Sequence, residues 1–169
     1  MSVMSEFDIT AISAMVAAVS VVAGVVYFVF QFRQQARIRQ TDLVMRLYST
    51  FGSEGFQQAA LKVMKLEYKD HNDYVKKYGE PGSEEPVPMA IIKIMYFFEG
   101  VGILLQRKLI DIDLVAQLFG PNIKWQWGRI KPLIESFRKL LNAPKMATSF
   151  EYLYNEMKKR EQKLQQREA

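Results

Sequence analysis

The sequence predicts an all-α protein, with one N-terminal transmembrane helix continuing into a five- or six-helix cytoplasmic domain. Three observations carry that prediction. Residues 9–32 form a run of 24 without a charged side chain. Downstream, apolar residues recur at intervals of three and four, the repeat of an amphipathic helix. No segment shows the alternation of apolar and polar residues that marks a half-buried strand. The 169 residues divide into a short tail (1–8), the span (9–32), a helical cytoplasmic domain (33–162) and a frayed charged tail (163–169).

At about 1.5 Å of rise per residue, roughly 20 apolar residues cross a hydrocarbon core about 30 Å thick, so the run from Ile9 to Phe32 is long enough to span. A cleaved signal peptide would want a basic leader, an apolar stretch of about 7–15 residues and a small-residue cleavage site. Here the leader carries Glu6 and Asp8 and no base, and the run ends in Tyr27, Phe28, Phe30 and Phe32. A retained anchor is the better fit. Arg33, Arg37, Arg39 and Arg46 follow the span, which places the N-terminus outside and the C-terminal domain in the cytoplasm.

The polar and small residues inside the run are aligned. Thr10, Ser13, Ala17, Ser20, Gly24, Tyr27 and Gln31 follow one another at steps alternating between three and four. At 100° per residue they lie within an arc of about 100°. Lipid offers no partner for a hydroxyl or an amide, while small residues let two helix backbones approach closely, so this face is expected to meet another protein within the bilayer. The alternative is local: Ser and Thr hydroxyls can bond back to carbonyls of their own helix.

The span is expected to run on to Gly52, with Val44, Leu47, Tyr48 and Phe51 on one face. Ser53 caps a second helix to about Lys69, and Asp70 or Asn72 a short one to Tyr78. The loop GEPGSEEPVP, with its glycines and prolines, then leads into a helix from about Val87 to Lys108. That helix is apolar nearly all round, but Lys93 and Glu99 near its centre disfavour a second span, and it reads as the central helix of a bundle. Asp111 or Asp113 caps a short helix that Gly120 and Pro121 stop, and another follows from Asn122 to Asn142. Thr148 with Glu151 reads as a capping box for the last helix, fraying past Gln162.

From Tyr96 to Arg138 the string YFFEGVGILLQRKLIDIDLVAQLFG, a Trp and IKPLIESFR resemble a prokaryotic family of unknown function. The resemblance covers about Gln31 to Tyr154. It implies one N-terminal membrane span with a small helical cytoplasmic domain in a prokaryotic cell membrane, and it implies no activity.

Composition narrows the chemistry. The chain has no cysteine and one histidine, which excludes disulfides, zinc ribbons, thiolate-held clusters and a cysteine nucleophile. His71 in KDHND has Glu67 and Asp73 nearby, but the spacing matches no established metal site and a polar helix start explains it; no metal and no cofactor is expected. Glu99 lies in the most apolar helix, where an unpaired charge is costly. Arg129 or Arg138 is its expected partner in a buried ion pair. The stretch from Pro121 to Ala147 has six bases, Lys124, Arg129, Lys131, Arg138, Lys139 and Lys145, against Glu135 alone. Trp125 and Trp127 are interleaved with them. Lys124, Trp125, Trp127, Arg129 and Lys131 form a candidate contact for anionic lipid headgroups. A tethered domain makes nucleic acid an unlikely partner, and a solvated basic face over packed rings is the plain alternative.

These features predict a non-catalytic accessory or regulatory subunit, docked through its span on a larger integral membrane protein complex, with no catalytic residue assigned. Two alternatives stand beside it: a self-associating signalling or scaffold protein whose stripe pairs with its own copy as a homo-oligomer, and a membrane-bound enzyme using Glu99 as acid or base.

Overall fold

A computed structural model describes the backbone of residues 3–168 and the side-chain surroundings of residues 10–166. It is all-α. The described residues form six helices: α1 (Val3–Gly52), α2 (Glu54–Met64), α3 (His71–Tyr78), α4 (Pro86–Gln106), α5 (Ile112–Leu140) and α6 (Thr148–Glu168). The chain divides into two compact units, one ending at Asp42 and the other beginning at Leu43.

The first unit is the apolar stretch of α1. Every side chain from Thr10 to Phe30 is exposed, as no other element of this unit covers it. Of the expected N-terminal tail, residues 1 and 2 lie outside the described residues, and the rest is helical from Val3.

The second unit is a bundle. It opens with the last turns of α1, where Val44 is buried and Leu47 and Phe51 pack against the core. Phe51 meets Phe119 at 5.1 Å and Phe56 at 5.2 Å, and Phe56 meets Phe97 at 4.6 Å. The central element is α4, which packs on α2, α3, α5 and α6. It is long and apolar enough to cross a membrane, yet Ile94, Phe98 and Val101 are fully buried inside the bundle. Hydrophobic burial by neighbouring helices accounts for the apolar residues on that face, while Met89, Tyr96 and Ile103 are exposed.

Caps follow elementary hydrogen-bond needs. The first amides of a helix lack intrahelical partners. Ser53 accepts from Phe56 N, Asp70 from Asp73 N, and Asp111 from the amides of Asp113 and Leu114. Pro86 and Pro88 fit the first turn of α4, where a missing N–H costs nothing.

Three boundaries differ from expectation. First, α2 stops at Met64 instead of Lys69. Residues beyond it bond across the fold: Arg129 donates to the Leu66 carbonyl, Lys77 to that of Glu67, and the Tyr78 hydroxyl accepts from Glu67 N. Second, the two helices expected on either side of Gly120–Pro121 are the single helix α5, which also runs through Pro132. Each interior proline costs about 3 kcal/mol. Both prolines are exposed, as are Gln117 and Gly128, whose carbonyls they leave without an amide partner. Water can meet those carbonyls, while burial of Phe119, Ile123, Ile130 and Leu133 at about 1.5–3 kcal/mol each keeps the helix continuous. Third, the helical assignment of α6 runs past Gln162 to Glu168, through Lys, Leu, Gln and Arg, all good helix formers; Ala169 lies outside the described residues.

Candidate functional site

The aligned stripe lies along the exposed surface of α1. Ser13 donates to the Thr10 carbonyl at 2.9 Å, and Ser20 to the Val16 carbonyl at 2.8 Å. Gln31 donates to the Tyr27 hydroxyl at 2.8 Å. These hydrogen bonds stay within the helix, so the serines need no external acceptor. Ala17 and Gly24 leave the backbone uncovered between them, and a Cβ at Gly24 would meet no atom within 4 Å among the described residues. What the stripe offers a neighbour is therefore a shallow surface for close packing.

Glu99 does not pair with Arg129 or Arg138. Its two carboxylate oxygens accept from Ser149 N at 3.1 Å and Phe150 N at 2.8 Å, capping α6 from the side of α4. The unsatisfied amides and positive end of a helix attract a carboxylate as a guanidinium would. The approach is possible because residue 102 is glycine. A Cβ there would overlap the Ser149 carbonyl oxygen and stand 2.6 Å from its carbon. The expected capping box is correspondingly absent: Thr148 donates to the Lys145 carbonyl, and Glu151 turns to Arg138 at 2.8 Å. Arg138 also donates to the Met146 carbonyl, closing the turn between α5 and α6. Arg129 is spent on Leu66, and its own carbonyl accepts from the Tyr68 hydroxyl at 2.6 Å. Sequence reading found the acid and the bases but missed the cap, since nothing in periodicity says that α6 begins against α4. The glycine three residues after Glu99, on the same face, was the available signal.

The lipid-contact set is split by the fold. Trp127 is 1% exposed, packed against Phe150 at 4.9 Å, and cannot reach a membrane surface. Its place on the core face of α5, beside Ile123 and Ile130, is the physical reason. Trp125 is 57% exposed. Lys124 pairs with Glu161 at 2.8 Å and Lys131 with Glu135 at 3.6 Å; Arg129 is exposed beside them.

His71 packs its ring edge against Phe137 at 5.7 Å, and its Nδ1 finds no hydrogen-bond partner among the described residues. Asp73 serves α3 instead, accepting from Lys69 N at 2.9 Å and Lys77 at 3.0 Å. The Lys69 amide, then Lys77, hold the Asp73 carboxyl below its usual range. Among the described residues no three of His, Asp and Glu gather to hold a metal ion. Two buried polar residues escaped notice in the sequence. Gln126 donates to the Ala60 carbonyl at 3.2 Å while its Oε1 is unpaired among the described residues. Tyr74 is fully buried, its hydroxyl is likewise unpaired, and burial pushes its pKa up to about 12.

A family model described as a domain of unknown function, DUF4760, matches residues 14–157. The chain belongs to this family. No curated protein and no solved structure matches it. The DUF4760 match extends from inside α1 to α6, so it takes in Ala17, Ser20, Gly24, Tyr27 and Gln31 as well as the Glu99 cap.

Proposed function

We propose that this DUF4760 protein is a non-catalytic, single-pass accessory or regulatory subunit of a prokaryotic cell membrane, docked through α1 on a larger membrane protein complex. The observation that carries the reading is the alignment of Thr10, Ser13, Ala17, Ser20, Gly24, Tyr27 and Gln31 on one face of an uncharged helix. With the serines bonded to their own helix, the contact with the partner is close backbone packing centred on Ala17 and Gly24. Retention of the anchor is supported by the family match, which begins at residue 14 within the apolar run. The arginines after Phe32 favour an outside N-terminus. Both oxygens of Glu99 are taken by amides, which favours an architectural role over acid–base chemistry. Trp125, exposed one helical turn before Arg129 on α5, is the remaining member of the lipid-contact set suited to a headgroup contact.

The decisive test is a pull-down of the full chain in mild detergent, comparing wild type with Ser20→Leu plus Gly24→Leu. The variant should fold normally and lose its partner; retention of the partner overturns the docking surface. Crosslinking of the chain expressed alone distinguishes a foreign subunit from a second copy.

A further inference from the structure

The helix at the centre of the bundle keeps one face uncovered. On α4, Met89, Tyr96 and Ile103 are 49%, 67% and 45% exposed, one at every seventh residue. At 100° per residue that spacing returns to within about 20° of the same direction, so the three form an apolar seam along the helix. The charges on its flanks are engaged elsewhere: Lys93 donates to the Gly55 carbonyl, and Glu99 accepts from the amides of α6. The two ends differ in sign. Glu80, Glu84 and Glu85 precede α4 with no base between Lys77 and Lys93, while Arg107 and Lys108 follow it with no acid between Glu99 and Asp111. Glu85 and Arg107 stand eleven residues before and after Tyr96, and both are exposed. Eleven residues are about three turns, so these two charges continue the seam at its ends. Neither makes an ion pair among the described residues, and Glu85 makes no side-chain bond to the amides it precedes.

We infer that α4 pairs with α4 of a second copy of this chain, antiparallel about a two-fold axis at Tyr96. The seam is palindromic about that residue. A two-fold rotation sets Tyr96 against Tyr96, Met89 opposite Ile103 and Glu85 opposite Arg107, each of the last two contacts occurring twice. Ile92 then faces Gly100, where a Cβ would meet nothing within 4 Å among the described residues and room is left for a larger side chain. Parallel pairing would set Glu85 against Glu85 and Arg107 against Arg107, and an anionic lipid surface would attract Arg107 but repel Glu85. The contact lies within the second unit and is independent of the docking of α1.

The chain has no cysteine, so single introduced cysteines report the contact directly. In membranes holding the full chain, oxidation of Tyr96→Cys should give a product of twice the chain's mass, and Trp125→Cys, similarly exposed on α5, should not. In the Tyr96→Cys background, Glu85→Arg or Arg107→Glu should slow crosslinking about tenfold, since each turns two attractions into repulsions. The two together exchange the signs of both pairs and should return the rate to within about twofold of Tyr96→Cys alone. No more dimer from Tyr96→Cys than from Trp125→Cys overturns the contact, as does a product that joins Tyr96→Cys to a different protein. Crosslinking at Gly24→Cys without crosslinking at Tyr96→Cys means self-association through α1 and overturns it too. Single reversals without effect, or a double reversal without recovery, overturn the antiparallel register.

Discussion

Replacing Gly102 by alanine tests the junction between α4 and α6 with a single methyl group. The new Cβ would overlap the Ser149 carbonyl oxygen and lie 2.6 Å from its carbon and 3.0 Å from its Cβ. Carbon atoms pack comfortably at about 3.5–4.0 Å, so α6 has to withdraw by roughly 1 Å. The Glu99 bonds, now 3.1 and 2.8 Å, would lengthen to about 4 Å and cease to be hydrogen bonds. Phe150, stacked on Phe98 at 4.9 Å, would move with them. Overpacking costs about 1–3 kcal/mol, and bonds to a charged acceptor contribute about 1.5–3 kcal/mol each. Alanine returns up to about 1 kcal/mol in helix propensity. With partial relaxation, the net loss is about 2–4 kcal/mol, or roughly 10 °C in melting temperature. Gly100→Ala is the matched control. A Cβ there meets nothing within 4 Å among the described residues, so the propensity gain should appear alone. Urea and thermal unfolding of the full chain in nanodiscs, followed by circular dichroism, reads both variants. If Gly102→Ala is as stable as Gly100→Ala, α6 is not seated on α4 through Glu99.

Two further outcomes follow from burial. Tyr74 has its pKa raised to about 12 from 10.0, so the folded state holds its proton where the unfolded state releases it. Its contribution to stability is complete below about pH 10 and declines by about 1.4 kcal/mol per pH unit until about pH 12. Tyr74→Phe should remove that share of the alkaline loss, and parallel wild-type and variant profiles would refute it. The two tryptophans should separate cleanly. Trp127→Ala should cost about 3–5 kcal/mol, while Trp125→Ala should stay within about 0.5 kcal/mol. In Trp127→Phe, the emission of Trp125 should be quenched readily by acrylamide and protected by nanodiscs containing anionic lipid. Insensitivity to lipid charge would remove α5 as a headgroup contact.

Local signals carried far in this chain because helices depend on nearby residues. The uncharged run after Asp8, the 3–4 stripe from Thr10 to Gln31 and the positions of Ser53, Asp70 and Asp111 as caps are all legible in the sequence, since periodicity and capping act over a few residues. Legibility failed wherever a distant group decided the outcome. Gly120–Pro121 looks like a stop, but burial of its neighbours outweighs the missing amide, and that burial exists only once α5 lies against α2 and α6. Glu99 looks like half of a buried ion pair, but two free amides of α6 stand where the guanidinium was expected.

The sequence by itself determined the helical class, the long apolar N-terminal helix and which residues share its face, because each is a matter of spacing along one chain. Only the tertiary structure decided that Trp127 is core and Trp125 surface, that Glu99 caps α6 and that Tyr74 is fully buried. A side chain's partner depends on which helices close around it: amides, hydroxyls and guanidinium groups can each satisfy a carboxylate, and packing chooses among them.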